Sequence, residues 1–313
     1  MKIFKGLNDQ FAKDKPILTI GTFDGIHVGH LSLIGRIVDI ARKENKKSAL
    51  LTFDPHPRTV LFPENPLQLL QTMDEKIDKL ESTGLDYLII HPFTKEFSAL
   101  TAMQFLEDIV VKYIAPSKII IGYDHQFGRN REGNIDFLKK HQKAFNFSVE
   151  EIEATAIKDN NISSTKIRKA ITEGDVETAR LYLGAPYCLT GTVVKGNQIG
   201  RTLGYPTANL SQIAADKLIP GHGVYLVAAF VDNEKCFGLM NIGVRPTLQE
   251  LGNEMRVEIH FLDFERDLYE KKITVSILRR LRDEKEFHNL TELKQQLSAD
   301  ETKARSYISS ISI

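Results

Sequence analysis

ILTIGTFDGIHVGHLSLI, residues 17–34, decides how the first half of the chain is read. Ile17–Ile20 has the apolar character of a buried strand, and Gly21 interrupts it. His27-Val28-Gly29-His30 then forms an HxGH frame, after which Leu31, Ile34, Ile37 and Val38 recur at helical spacing. A strand, a glycine-bearing turn and a helix start together make a place for a phosphate. The first-turn N–H groups have no intrahelical acceptor and carry the positive end of the helix dipole. Glycine lets the backbone come close, and imidazoles add donors that follow charge as it moves. The structural alternative is that His27 caps the helix while His30 packs on its first turn.

Outward from that stretch, short apolar runs alternate with helical patterns up to about residue 185. Strands are expected at Ile17–Thr22, Ser48–Phe53, Tyr87–His91 and Lys118–Gly122. Helices are expected at Leu31–Lys43, Asp74–Ser82, Ala102–Tyr113, Ile135–Lys143, Ser164–Glu173 and Val176–Leu183. The alternation predicts a Rossmann-like α/β domain, a parallel sheet wrapped by helices, with ligands beyond the C-terminal strand ends. Gly21–His30, Asp54–Arg58 and Tyr123–Gly133 then converge on one edge. After Pro186 the rhythm changes. Leu189–Val194, Val224–Val231, Lys235–Ile242, Arg256–Phe261 and Ile273–Leu278 read as strands, and Leu290–Leu297 as a terminal helix. This predicts a small antiparallel β-barrel with a C-terminal helix, and domains at 1–185 and 186–313.

A chain of 313 residues is long for one core. Lys+Arg and Asp+Glu both number 41, a balance that argues against a nucleic-acid partner but not against a small phosphorylated ligand. No apolar run is long enough to span a bilayer, and the first residues lack a signal-peptide core. Cys188 and Cys236 are too few and too far apart for a disulfide framework or a cysteine zinc site. The expected setting is cytoplasmic. Nothing in the sequence gives an oligomeric state.

Two further segments carry chemistry. Ile162-Ser163-Ser164-Thr165-Lys166-Ile167-Arg168 puts three hydroxyls at a helix start, followed by two cations, which is either a polyphosphate holder or an ordinary capped helix. GTVVKGNQIGRTLGYPTANL, residues 191–210, has no GKS or GKT and so is no P-loop, yet glycines let backbone N–H groups wrap a phosphate. Thr207 and Asn209 alternate, so on a strand both side chains face one way, and two neutral oxygens suit Mg²⁺. Glu258 lies between the apolar Val257 and Ile259 and must point away from their face, toward either a barrel exterior or a site.

HxGH followed far downstream by ISSTKIR resembles the adenylyltransferase half of the prokaryotic bifunctional riboflavin kinase/FAD synthetase family. Thr52-Phe53-Asp54-Pro55-His56-Pro57 and Gly122-Tyr123-Asp124-His125-Gln126-Phe127-Gly128 are similar to it as well, with a departure at His125-Gln126, where Phe or Asn is usual. Residues 191–210, Asn241–Thr247 and Arg256–Phe264 resemble its riboflavin kinase half. The resemblance implies two ATP- and Mg²⁺-dependent steps, riboflavin to FMN and FMN to FAD. In the first half it implies that His27 and His30 stabilise the reacting phosphates. Gly21, Phe23, Asp24 and Gly29 would then shape the ATP end, and Ser163, Ser164, Thr165 and Arg168 would hold the pyrophosphate. Phe53, Pro55, Pro57, Phe62 and Phe127 are candidates for the flavin ring or for core. In the second half, Gly196, Gly200, Arg201 and Gly204 are the candidate ATP loop. Thr207 and Asn209 are the metal ligands, Glu258 is the base, and Arg282 and Phe287 are flavin contacts. The rivals are another HxGH nucleotidyltransferase, a binding protein with degenerate sites, and a class I aminoacyl-tRNA synthetase. The last is disfavoured because no KMSKS-like segment is seen.

Overall fold

The chain is described by a computed structural model over residues 1–8, 10–122, 125–152, 162–195, 204–245, 254–264 and 266–310. Its apolar runs become two separate compact units, Met1–Ser164 and Thr165–Ile313.

In the first unit, β1 (Lys2–Lys5), β2 (Ile17–Ile20), β3 (Ser48–Asp54), β4 (Tyr87–Pro92), β5 (Lys118–Gly122) and β6 (Ser148–Ile152) form one parallel sheet. Its order is β1-β4-β3-β2-β5-β6. The central strands are mostly apolar and buried along most of their length because both faces are covered. Leu18, Ile20, Ala49, Leu51, Ile89, Ile119 and Ile121 face one core, with Phe105, Leu106 and Val110 from the helical stretch 102–114. Ile17, Leu50, Leu88, Ile90 and Ile120 face the other, against Leu33, Ile34, Ile37 and Val38 of the helix Val28–Lys43. The predicted helix Ala102–Tyr113 is α-helical over Ala102–Gln104 and continues as a wider, π-type helix over Phe105–Ile114. From β2 the chain runs outward through β3 and β4, then returns to β5 on the other side of β2. That reversal opens a crevice at the C-terminal end of β2, where Gly21–His30 lies.

The second unit is a closed barrel. Its strands are β7 (Tyr187–Val194), β8 (Ala208–Ser211), β9 (Gly223–Val231), β10 (Glu234–Arg245), β11 (Glu254–Phe261) and β12 (Lys272–Arg282). They close in the order β10-β11-β8-β7-β12-β9 through antiparallel pairs. The terminal helix Leu290–Ser310 lays Ala304, Tyr307 and Ile308 on Val224, Leu226, Leu239, Leu278 and Leu281. The helices Ser164–Thr172 and Val176–Leu183, which sequence rhythm groups with the sheet, lie almost wholly within this unit. The Gly221 amide donates to the Ile171 carbonyl at 3.1 Å. Compaction thus divides the chain after Ser164 rather than at Pro186. The rhythm of apolar residues marks where strands resume, not which core a helix joins.

Candidate active sites

The turn after β2 is held from several directions. The Gly21 amide donates to the Leu51 carbonyl at 3.0 Å. The Thr22 carbonyl accepts from Thr52 Oγ1 at 3.1 Å and from Lys76 Nζ at 2.7 Å. The buried Asp24 carboxylate accepts from the Leu70 and Gln71 amides, and its main-chain carbonyl accepts from Ser164 Oγ at 2.9 Å. These anchors are needed because Phe23 and Ile26, neither of them glycine, have φ of 48° and 27°.

The HxGH spacing has a packing reason. His27 caps the helix Val28–Lys43: its Nδ1 accepts from the His30 amide at 3.3 Å. The two imidazoles stack with centroids 3.6 Å apart, and the Phe23 ring meets His30 edge-on at 5.0 Å. A Cβ on Gly29 would sit 3.2 Å from the His27 ring, so the glycine leaves room for the stack. The structural alternative therefore describes the local packing correctly. It does not account for His30 Nδ1, which is buried with no hydrogen-bond partner among the described residues. Burial first, then the charges of His27, Lys76 and Lys79, hold His30 well below its ordinary pKa. It is a neutral imidazole at neutral pH, with polar capacity in reserve for a ligand.

Ser164 begins the helix Ser164–Thr172, Ser163 precedes it, and Thr165 and Arg168 follow on that helix. Lys76, on the helix Met73–Glu81, is a site neighbour that sequence reading misses. Nothing in MDEKIDKLE distinguishes it from Lys79.

The flavin candidates separate. Phe53 is half-buried at the end of β3 and packs with Phe93 and Phe97, centroids 5.7 and 5.6 Å away. Pro55 is exposed, Pro57 opens the short helix Pro57–Leu61, and Phe62 behind it is 51% exposed. Phe127 takes the core alternative. Its ring is in the core with Phe105 and Phe137, and a Cβ on Gly133 would strike it at 2.5 Å. Tyr123 and Asp124 lie outside the described residues.

In the barrel, register settles which way Glu258 points. It pairs with Asn209 of β8 on one side and Asn241 of β10 on the other. Directly paired residues project to the same face, so the three form one polar row. Val257 and Ile259, 6% and 0% exposed, alternate with it and face the barrel interior. The row shares the outer face with Leu239 and His260. His260 Nδ1 lies 2.9 Å from the Pro206 carbonyl, and its ring meets that of Tyr205, which holds the segment before β8 against β11. Asn209 puts a neutral amide oxygen on the face that carries the Glu258 carboxylate, and neutral oxygens beside a nucleotide suit Mg²⁺, so the residues present fit that ion. Asn241 belongs to a segment quoted from the sequence, but its place beside Glu258 becomes visible only in the register.

Gly204 has φ of 85° with open space where a Cβ would go; Gly196, Gly200 and Arg201 lie outside the described residues. Arg282, a candidate flavin contact, has a structural partner. Its guanidinium is committed to the buried Asp300 carboxylate at 2.9–3.1 Å and to the Asp283 carbonyl. It ties the barrel to its terminal helix. The half-buried Phe287 ring lies 5.9 Å from that guanidinium.

A sheet crevice with an anion-suited turn and a barrel with a polar outer row give the chain two candidate sites, as a two-site transferase needs. The FAD synthetase family model matches residues 9–166, and the riboflavin kinase family model matches residues 183–308. A bifunctional riboflavin kinase/FMN adenylyltransferase of Buchnera aphidicola is 37% identical over 304 residues, covering 96% of each chain. One of Escherichia coli K12 is 34% identical over 310 residues, covering 98% of each. A crystal structure named as a macrolide-efflux protein of Streptococcus pneumoniae matches with a TM-score of 0.87 at 32% identity, over 97% of this chain and 98% of that one. The chain belongs to the bifunctional riboflavin kinase/FMN adenylyltransferase family.

Proposed function

We propose that the two units make FMN and FAD in succession with the candidate residues named above. The chain is an enzyme that phosphorylates riboflavin with ATP and then adenylylates FMN with a second ATP. In the barrel, Glu258 accepts the proton of the ribityl hydroxyl as that oxygen attacks the γ-phosphorus and ADP leaves. Thr207 and Asn209 would hold Mg²⁺, whose charge offsets that of the phosphates. Gly196, Gly200, Arg201 and Gly204 cradle the nucleotide, and Phe287 borders the flavin.

In the first unit, an FMN phosphate oxygen attacks the α-phosphorus of ATP and pyrophosphate leaves. No residue becomes a covalent nucleophile, because the attacking phosphate is already an anion. The work is positioning and charge stabilisation. His27, His30 and the first-turn amides serve the reacting phosphates. Gly21, Phe23, Asp24 and Gly29 shape the turn, and Ser163, Ser164, Thr165 and Arg168 hold the leaving group. Phe53, Pro55, Pro57 and Phe62 supply apolar surface at the flavin end.

The observation that supports the barrel assignment is the row Asn241–Glu258–Asn209, three polar residues on one shared face, of which we take Glu258 as base and Asn209 as metal ligand. Asn209→Leu tests it. The variant should need at least tenfold more Mg²⁺ for half-maximal riboflavin phosphorylation, with FMN adenylylation unchanged. An unaltered Mg²⁺ requirement removes Asn209 from the metal site. The equal charge counts and two free cysteines support small phosphorylated ligands and a cytoplasmic setting, without a nucleic-acid or membrane partner. Among the described residues, no helix is long and apolar enough to cross a membrane.

A further inference from the structure

Lys76 is 5% exposed, which is rare for a lysine. A buried ammonium needs acceptors or counter-charges to offset its desolvation. Its single side-chain hydrogen bond among the described residues goes to the Thr22 carbonyl at 2.7 Å, leaving two of its three N–H donors without a protein acceptor. Among the described residues it makes no salt bridge; burial lowers its pKa from the ordinary lysine value, and the charges of Asp24 and Asp54 oppose that effect. A structural lysine would be expected to bind a carboxylate directly. This one is placed beneath the phosphate turn, at the carbonyl that also receives Thr52 Oγ1.

We propose that Lys76 is the positioning residue of the adenylyl-transfer site. It clamps Thr22 so that the strained turn presents His27 and His30, and it sets a fixed positive charge beneath them. The inference rests on the adenylyltransferase reading of the first unit. That reaction gathers phosphate charge at one point, and a preorganised cation in a water-poor site favours the gathering. His30 then acts as a neutral hydrogen-bonding group while Lys76 supplies the charge. The groups bearing on His30 are His27 from its own turn, with Lys76 and Lys79 from the helix Met73–Glu81; the Phe23 ring closes another side.

Three variants of the full-length enzyme separate charge from anchoring. Lys76→Met removes both, Lys76→Arg keeps the charge, and Thr52→Val removes only the second bond to the same carbonyl. For FMN adenylylation, Lys76→Met should lower kcat about 100-fold with KM for FMN within about threefold. Lys76→Arg should recover at least tenfold of that loss, and Thr52→Val should cost less than tenfold. Riboflavin phosphorylation should be unchanged in all three. Followed by NMR, the His30 titration midpoint should rise in Lys76→Met and stay put in Thr52→Val. The proposal is overturned if Lys76→Met keeps kcat within threefold, if Lys76→Arg is no better than Lys76→Met, or if the His30 midpoint does not move. Should Lys76→Met fail to fold, Lys76→Arg decides: kcat within tenfold of wild type supports the proposal, and a greater loss overturns it. Wild-type enzyme that leaves FMN unconverted defeats the underlying reading instead.

Discussion

His30 and Glu258 carry the sharpest division of labour. His30 sits on the turn after β2 and has no part in the barrel, so His30→Ala should abolish FAD formation from FMN while riboflavin phosphorylation continues. Glu258→Gln keeps the shape of the polar row but removes the base. Riboflavin phosphorylation should fall by about 10²–10⁴-fold, and added FMN should still become FAD. Chromatography of the flavins reads both, and equal loss of the two activities in either variant would contradict the division. His30 also makes a statement about pH. Its folded pKa lies below the ordinary value near 6.5, so between the two values the unfolded chain binds a proton that the folded chain refuses. The stability this contributes is full above about pH 6.5 and is lost as pH falls from there toward the folded pKa. Calorimetry should show the wild-type Tm falling below pH 6.5 more steeply than that of His30→Gln, and parallel profiles would contradict it.

Among the elements, central strands were legible and edges were not. Ile17–Ile20 and Lys118–Gly122 announce themselves because both faces of a parallel sheet demand apolar residues. Lys2–Lys5 and Ser148–Ile152 are edge strands whose exposed, charged positions hide the pattern, as the polar sequence SVEEI illustrates. The terminal helix runs to Ser310, well beyond the predicted Leu297, because it is anchored by a few residues scattered among charges. One anchor is ionic: Asp300, on that helix, is 3% exposed and meets Arg282. Removing one partner of a buried pair strands the other charge, at a cost of about 3–5 kcal/mol. Asp300→Ala should therefore lower the barrel's Tm clearly, and an unchanged Tm would show the pair to be dispensable. The candidate site was legible where residues are neighbours in sequence, as in HxGH, and where motifs resemble a family. It was not legible where distant segments meet. Lys76 under Thr22, and Asn241 and Asn209 flanking Glu258, depend on packing and register that no local spacing encodes.

For the whole molecule, the account holds that one chain carries two chemistries in two independently built units. The change of rhythm near Pro186 marked the change of architecture, whereas the helices before it belong to the barrel's compact unit. The most direct test is to incubate the purified chain with riboflavin, ATP and Mg²⁺ and to resolve the flavins by chromatography over time. The account predicts that FMN appears first and FAD follows. Riboflavin that stays unchanged, together with added FMN that is never converted, would contradict it.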